Sequence, residues 1–148
     1  MSIKEQLNSD LKTALLAGDK FLATTLRGLK GVILNVEIEK GVRDSGLPDS
    51  EIIQLLAKEA KKRQDSIDMY VQGGAQDKAD LELKEKQIIE NYLPEQISDS
   101  ELTQIVDDII SSSPSLNMGQ AIGKVKQQVG STAEGSRIAS FVKARINN

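Results

Sequence analysis

Cysteine and histidine are both missing from this 148-residue chain. Their absence removes disulfides, thiol nucleophiles, imidazole bases and the usual zinc ligands together. Any chemistry would fall to carboxylates, lysines or hydroxyls, so the sequence predicts no catalytic centre, no metal and no cofactor. Aromatics are also scarce, at 3% (Phe21, Tyr70, Tyr92 and Phe141). A core poor in rings is built from Leu, Ile, Val and Ala, the material of helix bundles. No apolar run approaches the roughly 18 residues needed to cross a bilayer, so no membrane role is expected. Lys4 and Glu5 lie in the first turn and no apolar h-region follows. That pattern argues against a secretory signal, and the expected compartment is the cytoplasm.

What is present is helical periodicity. The length suits one ordinary domain or two small ones, and 39% apolar residues suffice for a globule. Ser2-Ile3-Lys4-Glu5 has the form of a capping box. Behind it Ile3, Leu7, Leu11 and Leu15 make one apolar stripe, and Gly18 fits a helix stop. Asp19 can cap a second helix whose wide apolar face carries Phe21, Leu22, Leu26, Leu29, Val32, Ile33 and Val36. Gly28 and Gly31 inside it are expected to admit a neighbouring helix at close range. Pro48 opens a third helix, which Gly73-Gly74 breaks; a fourth runs from about Gln76 to Leu93.

Pro94 cannot continue that helix and marks a boundary between residues 1–93 and 94–148. Beyond it, Ser98 to Glu101 is another capping box, followed by Leu102, Ile105, Val106, Ile109 and Ile110 at helical spacing. Asn117 caps a helix carrying Ile122, Val125 and Val129, and a last helix carries Ile138, Phe141 and Val142. The prediction is an all-α chain: an N-terminal four-helix domain followed by a C-terminal three-helix bundle.

Net charge is −3, yet it is unevenly spread. Residues 92–114 hold five acids and no base, whereas residues 115–148 hold Lys124, Lys126, Arg137, Lys143 and Arg145 against Glu134 alone. The apolar positions of those last helices are already taken, so the five bases are expected to point outward. Such a set can meet nucleic-acid phosphates, each neutralised phosphate releasing condensed counterions; it also fits an ordinary solvated face. A second basic set comprises Arg27 and Lys30, with Lys58, Lys61, Lys62 and Arg63 on the third helix. There Glu59–Arg63 and Lys61–Asp65 have attractive i,i+4 spacing, so a salt-bridged surface also fits. Asp107 and Asp108 are sequence neighbours and diverge around their helix, which gives no acid–base pair. Ser111-Ser112-Ser113 precedes Pro114 in an acidic loop without glycine or lysine, and reads as a connector.

Tyr92-Leu93-Pro94-Glu95-Gln96-Ile97-Ser98, followed by Glu101-Leu102, resembles the hinge of the YqeY family. So do Met118-Gly119, Ala133-Glu134-Gly135, Arg27-Gly28-Leu29-Lys30 and the run Lys58 to Ser66. The resemblance implies four N-terminal helices joined to a three-helix domain similar to the tail of GatB, a subunit of the glutamine-dependent tRNA amidotransferase. In GatB that tail helps hold tRNA by its shape, a contact that reads backbone and fold more than bases. The chain departs from the pattern at Gln120 and around Gly130, where the family carries lysines, and at Glu134, where it carries Asp.

The functional expectation is a non-catalytic tRNA-binding or tRNA-associated accessory protein. Lys124, Lys126, Arg137, Lys143 and Arg145 would contact phosphate, and the N-terminal bases would extend the footprint or meet a protein of the translation or tRNA-aminoacylation machinery. The alternatives are a protein-interaction adaptor that never touches RNA, and a component of a carbon–nitrogen ligase system with glutamine as amido-N-donor.

Overall fold

The computed structural model describes residues 1–147, and these are all-α, with no strand among them. The chain divides into two compact units, Met1–Leu93 and Pro94–Asn148. The first holds α1 (Ile3–Ala17), α2 (Lys20–Glu39), α3 (Asp49–Gln72) and α4 (Gln76–Glu90). The second holds α5 (Asp99–Ser112), α6 (Met118–Val129) and α7 (Gly135–Ile146), with a 3-10 turn at Gly130–Thr132 between the last two.

Local chemistry sets most helix ends. The Ser2 hydroxyl accepts from Glu5 N while the Glu5 carboxylate accepts from Ser2 N, so both partners of the capping box are engaged. Gly18 ends α1 at φ 70°, a left-handed conformation that glycine adopts without Cβ strain. Asp19 caps α2 through Leu22 N. Asn117 and Gln120 form a second reciprocal box at the start of α6. At this position a lysine has no acceptor atom, so Gln120 supplies a cap where the resembling family carries a charge. α4 stops at Glu90, short of the expected Leu93, because Pro94 bars its continuation.

The core of the first unit gathers Leu7 from α1, Leu26, Leu29 and Ile33 from α2, Ile52 and Leu56 from α3, and Ile89 from α4, each essentially fully buried. Each such side chain contributes about 2 kcal/mol by leaving water. The α3 residues beyond Ala60 add nothing to this core. Polar links hold that part of the α3–α4 hairpin instead: Arg63 to Glu85 at 3.2 Å and Lys86 to Gln64 at 2.7 Å.

The glycines of α2 depart from expectation. A Cβ built on Gly28 or Gly31 would meet nothing within 4 Å, so among the described residues no other helix of the first unit approaches them closely. Leu15, expected on the buried stripe of α1, is half exposed.

The second unit packs Leu102 and Val106 of α5, Ala121, Val125 and Val129 of α6, and Ala133, Ile138 and Val142 around one centre. The hinge motif is anchored on each side of Pro94. Tyr92 donates its phenolic hydrogen to the Asp10 carboxylate of α1. Ile97 N donates to Thr132 O at 2.8 Å and Gln96 Nε2 to Ser131 O at 3.1 Å, which ties the segment to the 3-10 turn of its own unit.

Candidate nucleic-acid interface

The C-terminal bases fall into two groups. Lys124 and Lys126 stand on either side of the buried Val125, and two residues of α-helix rotate the chain by about 200°, so they project to opposite flanks of α6. Lys143 follows the buried Val142 on α7. All three lysines are exposed, and no carboxylate among the described residues pairs with them.

Arg137 and Arg145 behave differently. Arg137 Nη2 lies 2.6 Å from Asp99 Oδ1, and Arg145 Nε lies 2.8 Å from Asp107 Oδ1. Both arginines are half-buried, and Arg137 also lies over the Phe141 ring, 5.5 Å from its centroid. Two of the five expected phosphate contacts are thus engaged with the acids of α5. The outward set shrinks to three lysines, and these do not share one face.

The N-terminal bases divide similarly. Arg27 and Lys30 are exposed on α2, and Lys58 and Lys61 are exposed on α3. Lys62 Nζ lies 3.2 Å from Glu59 Oε1, while Arg63 spans Glu59 Oε2 at 2.6 Å and Glu85 Oε2 at 3.2 Å. Glu59 is only 6% exposed, so these two bases neutralise a buried carboxylate, and Arg63 also joins α3 to α4. The expected Glu59–Arg63 pair is present; Lys61–Asp65 is not among the ion pairs of the described residues.

Glu37 escaped the sequence reading altogether. It is 2% exposed on α2, with Oε2 2.8 Å from Lys4 Nζ and accepting from Leu47 N at 2.9 Å. The Lys4 ammonium holds its carboxyl below the usual range, against the opposing effect of burial, with the Leu47 N–H adding to the lowering. The helix-exit loop is shaped to this carboxylate: Gly46 sits at φ 79°, and a Cβ there would come 3.3 Å from Glu37 Oε2. The signal available beforehand was a glycine five residues past Gly41 in a polar loop, which does not name its partner. Burial, and then the charge of Glu85, pushes the Glu82 carboxyl up. Burial and the Asp10 contact raise the Tyr92 phenol.

Two shallow cavities lie in the first unit. One, of about 180 Å³, is bordered by Asp10, Thr13, Asn91 and Tyr92. The other, of about 290 Å³, runs between α1 and α2 and is bordered by Lys4, Asn8, Lys30, Gly31, Leu34 and Glu37.

The chain matches the family described as Yqey-like protein over residues 4–146. Similar proteins carry the name altered inheritance of mitochondria protein 41, mitochondrial. That of Kluyveromyces lactis is 36% identical over 126 residues, covering 80% of this chain and 66% of the relative. That of Lachancea thermotolerans is 32% identical over 146 residues, covering 95% and 76%. That of Vanderwaltozyma polyspora is 28% identical over 147 residues, covering 95% and 77%. The cytoplasmic expectation is corrected by these relatives, all named as mitochondrial. It rested on a missing apolar h-region, and organelle addresses are amphipathic, removable segments that such a test does not see.

Proposed function

This chain belongs to the Yqey-like protein family, and from that premise we propose that it is a non-catalytic, tRNA-associated accessory protein. It works by offering helical surfaces to a macromolecule. The observation that carries this reading is the use made of its buried carboxylates. Glu37 and Glu59 are each committed to cations that tie helices together, and Glu37 is held ionised rather than primed to give up a proton. For location, the reading follows the mitochondrial relatives.

A direct tRNA contact would rest on Lys124, Lys126 and Lys143, supported by the resemblance of the second unit to the tRNA-holding tail of GatB. Because the three lysines do not share one face, at most two of them meet one RNA at a time, which predicts weak binding with a log–log salt slope no steeper than about −2. A filter-binding titration with unmodified tRNA at about 50 mM and about 200 mM salt tests this, since phosphate-driven affinity is greatest at low salt. Failure to bind at the lower concentration removes direct RNA contact.

A second reading is favoured by the Arg137–Asp99 and Arg145–Asp107 pairs, which withdraw two bases from any phosphate footprint. On it the chain is a protein adaptor, within a carbon–nitrogen ligase system using glutamine or elsewhere in translation. A partner complex that survives nuclease treatment distinguishes the two.

A further inference from the structure

We propose that the groove between α1 and α2 is a docking site for an acidic amphipathic helix presented by a partner protein. The proposal goes beyond the function proposed above and stands whether or not tRNA binds.

The groove has an apolar floor and a basic rim. Leu7 and Ile33 form its base at 0% and 2% exposure, and Leu34 lies open at its edge at 38%. On α2, Lys30, Leu34 and Ile38 recur every four residues and so share a face; Ile38 is 54% exposed. Arg27 is three residues before Lys30 on the same side, and both of these bases are exposed. On α1, Lys4, Asn8 and Lys12 share a face by the same spacing, with the half-exposed Leu15 beside them. Of the residues that line the groove Glu37 is the acid, and Lys4 neutralises it; Glu5, three residues before Asn8, offsets Lys12 on the α1 side, so the positive rim is that of α2, where Lys30 lines the groove and Arg27 stands one turn before it.

An apolar strip beside cations is complementary to an amphipathic helix whose apolar residues are flanked by carboxylates. The apolar positions continue one turn past the 290 Å³ cavity, from Leu34 to Ile38, and with Arg27 and Lys30 this face of α2 spans about three turns, a match for a helix better than for a small anion. Gly28 and Gly31 add a second argument. Both lie within α2, where each costs helix stability relative to alanine, and neither is approached by any atom that a Cβ would touch. Gly31 borders the groove, so bare backbone is presented where an incoming helix would come closest.

The test uses the full-length protein and a fluorescein-labelled peptide of about 18 residues with Leu at i, i+4, i+7 and i+11 flanked by Glu. Its twin carries Lys at every Glu. The acidic peptide is expected to bind with a Kd of order 10⁻⁵ M and the basic twin at least about tenfold more weakly. Leu34→Glu and the double change Arg27→Glu with Lys30→Glu should each weaken the acidic peptide at least about tenfold. Gly31→Ala should raise the thermal midpoint yet weaken the peptide, a split that a purely structural glycine would not produce. Equal binding of the two peptides, no binding of either, or affinity unmoved by Leu34→Glu overturns the proposal. So does full displacement by excess tRNA of a peptide whose binding is untouched by Leu34→Glu, which would mark a general polyanion surface. Loss of tRNA binding with peptide binding intact sinks the direct RNA contact and leaves the groove standing.

Discussion

Arg145 donates its Nε hydrogen to Asp107 Oδ1 at 2.8 Å across 38 positions of chain, and Arg137 repeats the contact to Asp99 at the same 38-residue offset. The shared offset means that α5 and α7 run in the same direction through the second unit, with a carboxylate of one matched to a guanidinium of the other at two levels. The acidic stretch and the basic stretch of the sequence therefore meet inside one bundle. Both Arg145 and Asp107 are about two-fifths exposed, so water screens the pair and its coupling should be small. A double-mutant cycle of Asp107→Asn and Arg145→Gln in urea is expected to give less than about 1 kcal/mol. In filter binding, Arg145→Gln should leave the salt slope unchanged, while Lys124→Gln or Lys143→Gln should each flatten it by about 1.

Glu37 sets the acid limit of the first unit. Its carboxyl is held below the ordinary value of 4.5, so the folded state binds the proton more weakly than the unfolded chain does. The stabilisation is complete above the unfolded value and is lost as pH falls through the depressed folded one. Glu37→Gln should cost about 1–3 kcal/mol at pH 7, since Lys4 and the Leu47 amide lose a charged acceptor. The gap between wild type and variant should narrow as denaturation is repeated at successively lower pH below 4.5.

Tyr92 works in the opposite direction. Burial first, and then the hydrogen bond and charge of Asp10, raise its phenol above the ordinary 10.0. A raised acid favours the protonated folded state, so this stabilisation is present below pH 10.0 and disappears as pH rises towards the elevated value. Alkaline difference spectra should show a late ionisation phase that Tyr92→Phe removes. The same variant should cost about 1 kcal/mol at pH 7 by deleting one hydrogen bond.

The features legible in the sequence were those settled within a few residues. Ser2, Asp19 and Asn117 cap helices because their side chains reach backbone N–H groups three positions on. Gly18 and Pro94 end helices for backbone reasons of their own. The candidate site was less legible because its charges are spent over longer range. Nothing near Arg137 announces Asp99, and nothing near Lys4 announces Glu37, 33 residues away. Helical periodicity gives the side of a helix on which a base lies, but not whether a carboxylate from another helix stands beside it, as Asp99 and Asp107 do beside Arg137 and Arg145.

Gly28 offers a direct measure of helix propensity, because it lies in the interior of α2, is exposed, and has open space where a methyl would go. Gly28→Ala should stabilise the protein by about 0.5–1 kcal/mol, seen as a higher urea midpoint at unchanged slope. Gly46→Ala should do the reverse. Its φ of 79° disfavours any Cβ, and the added methyl would press on the Glu37 carboxylate at 3.3 Å.

The α3–α4 hairpin should open from its far end. Core side chains of α3 stop at Ala60, and α4 enters the core at Ile88 and Ile89. Between these points the hairpin buries Ala79 alone, while Met69, Val71 and Leu81 are more than half exposed. Its links there are Arg63–Glu85, Lys86–Gln64 and Lys78 over the Tyr70 ring at 5.8 Å, beside the partly buried Ile67, and partly exposed polar contacts of this kind contribute at most about 1 kcal/mol each. Sub-global opening follows local burial, so native-state hydrogen exchange should give amides of residues 66–84 lower protection than those of 52–60. Arg63→Gln, which also strips Glu59 of its nearer cation, should lower protection across 59–86 while leaving α5 to α7 unchanged. Uniform protection along α3 would mean that the hairpin and the core open together, and that the polar links carry more than their exposure allows.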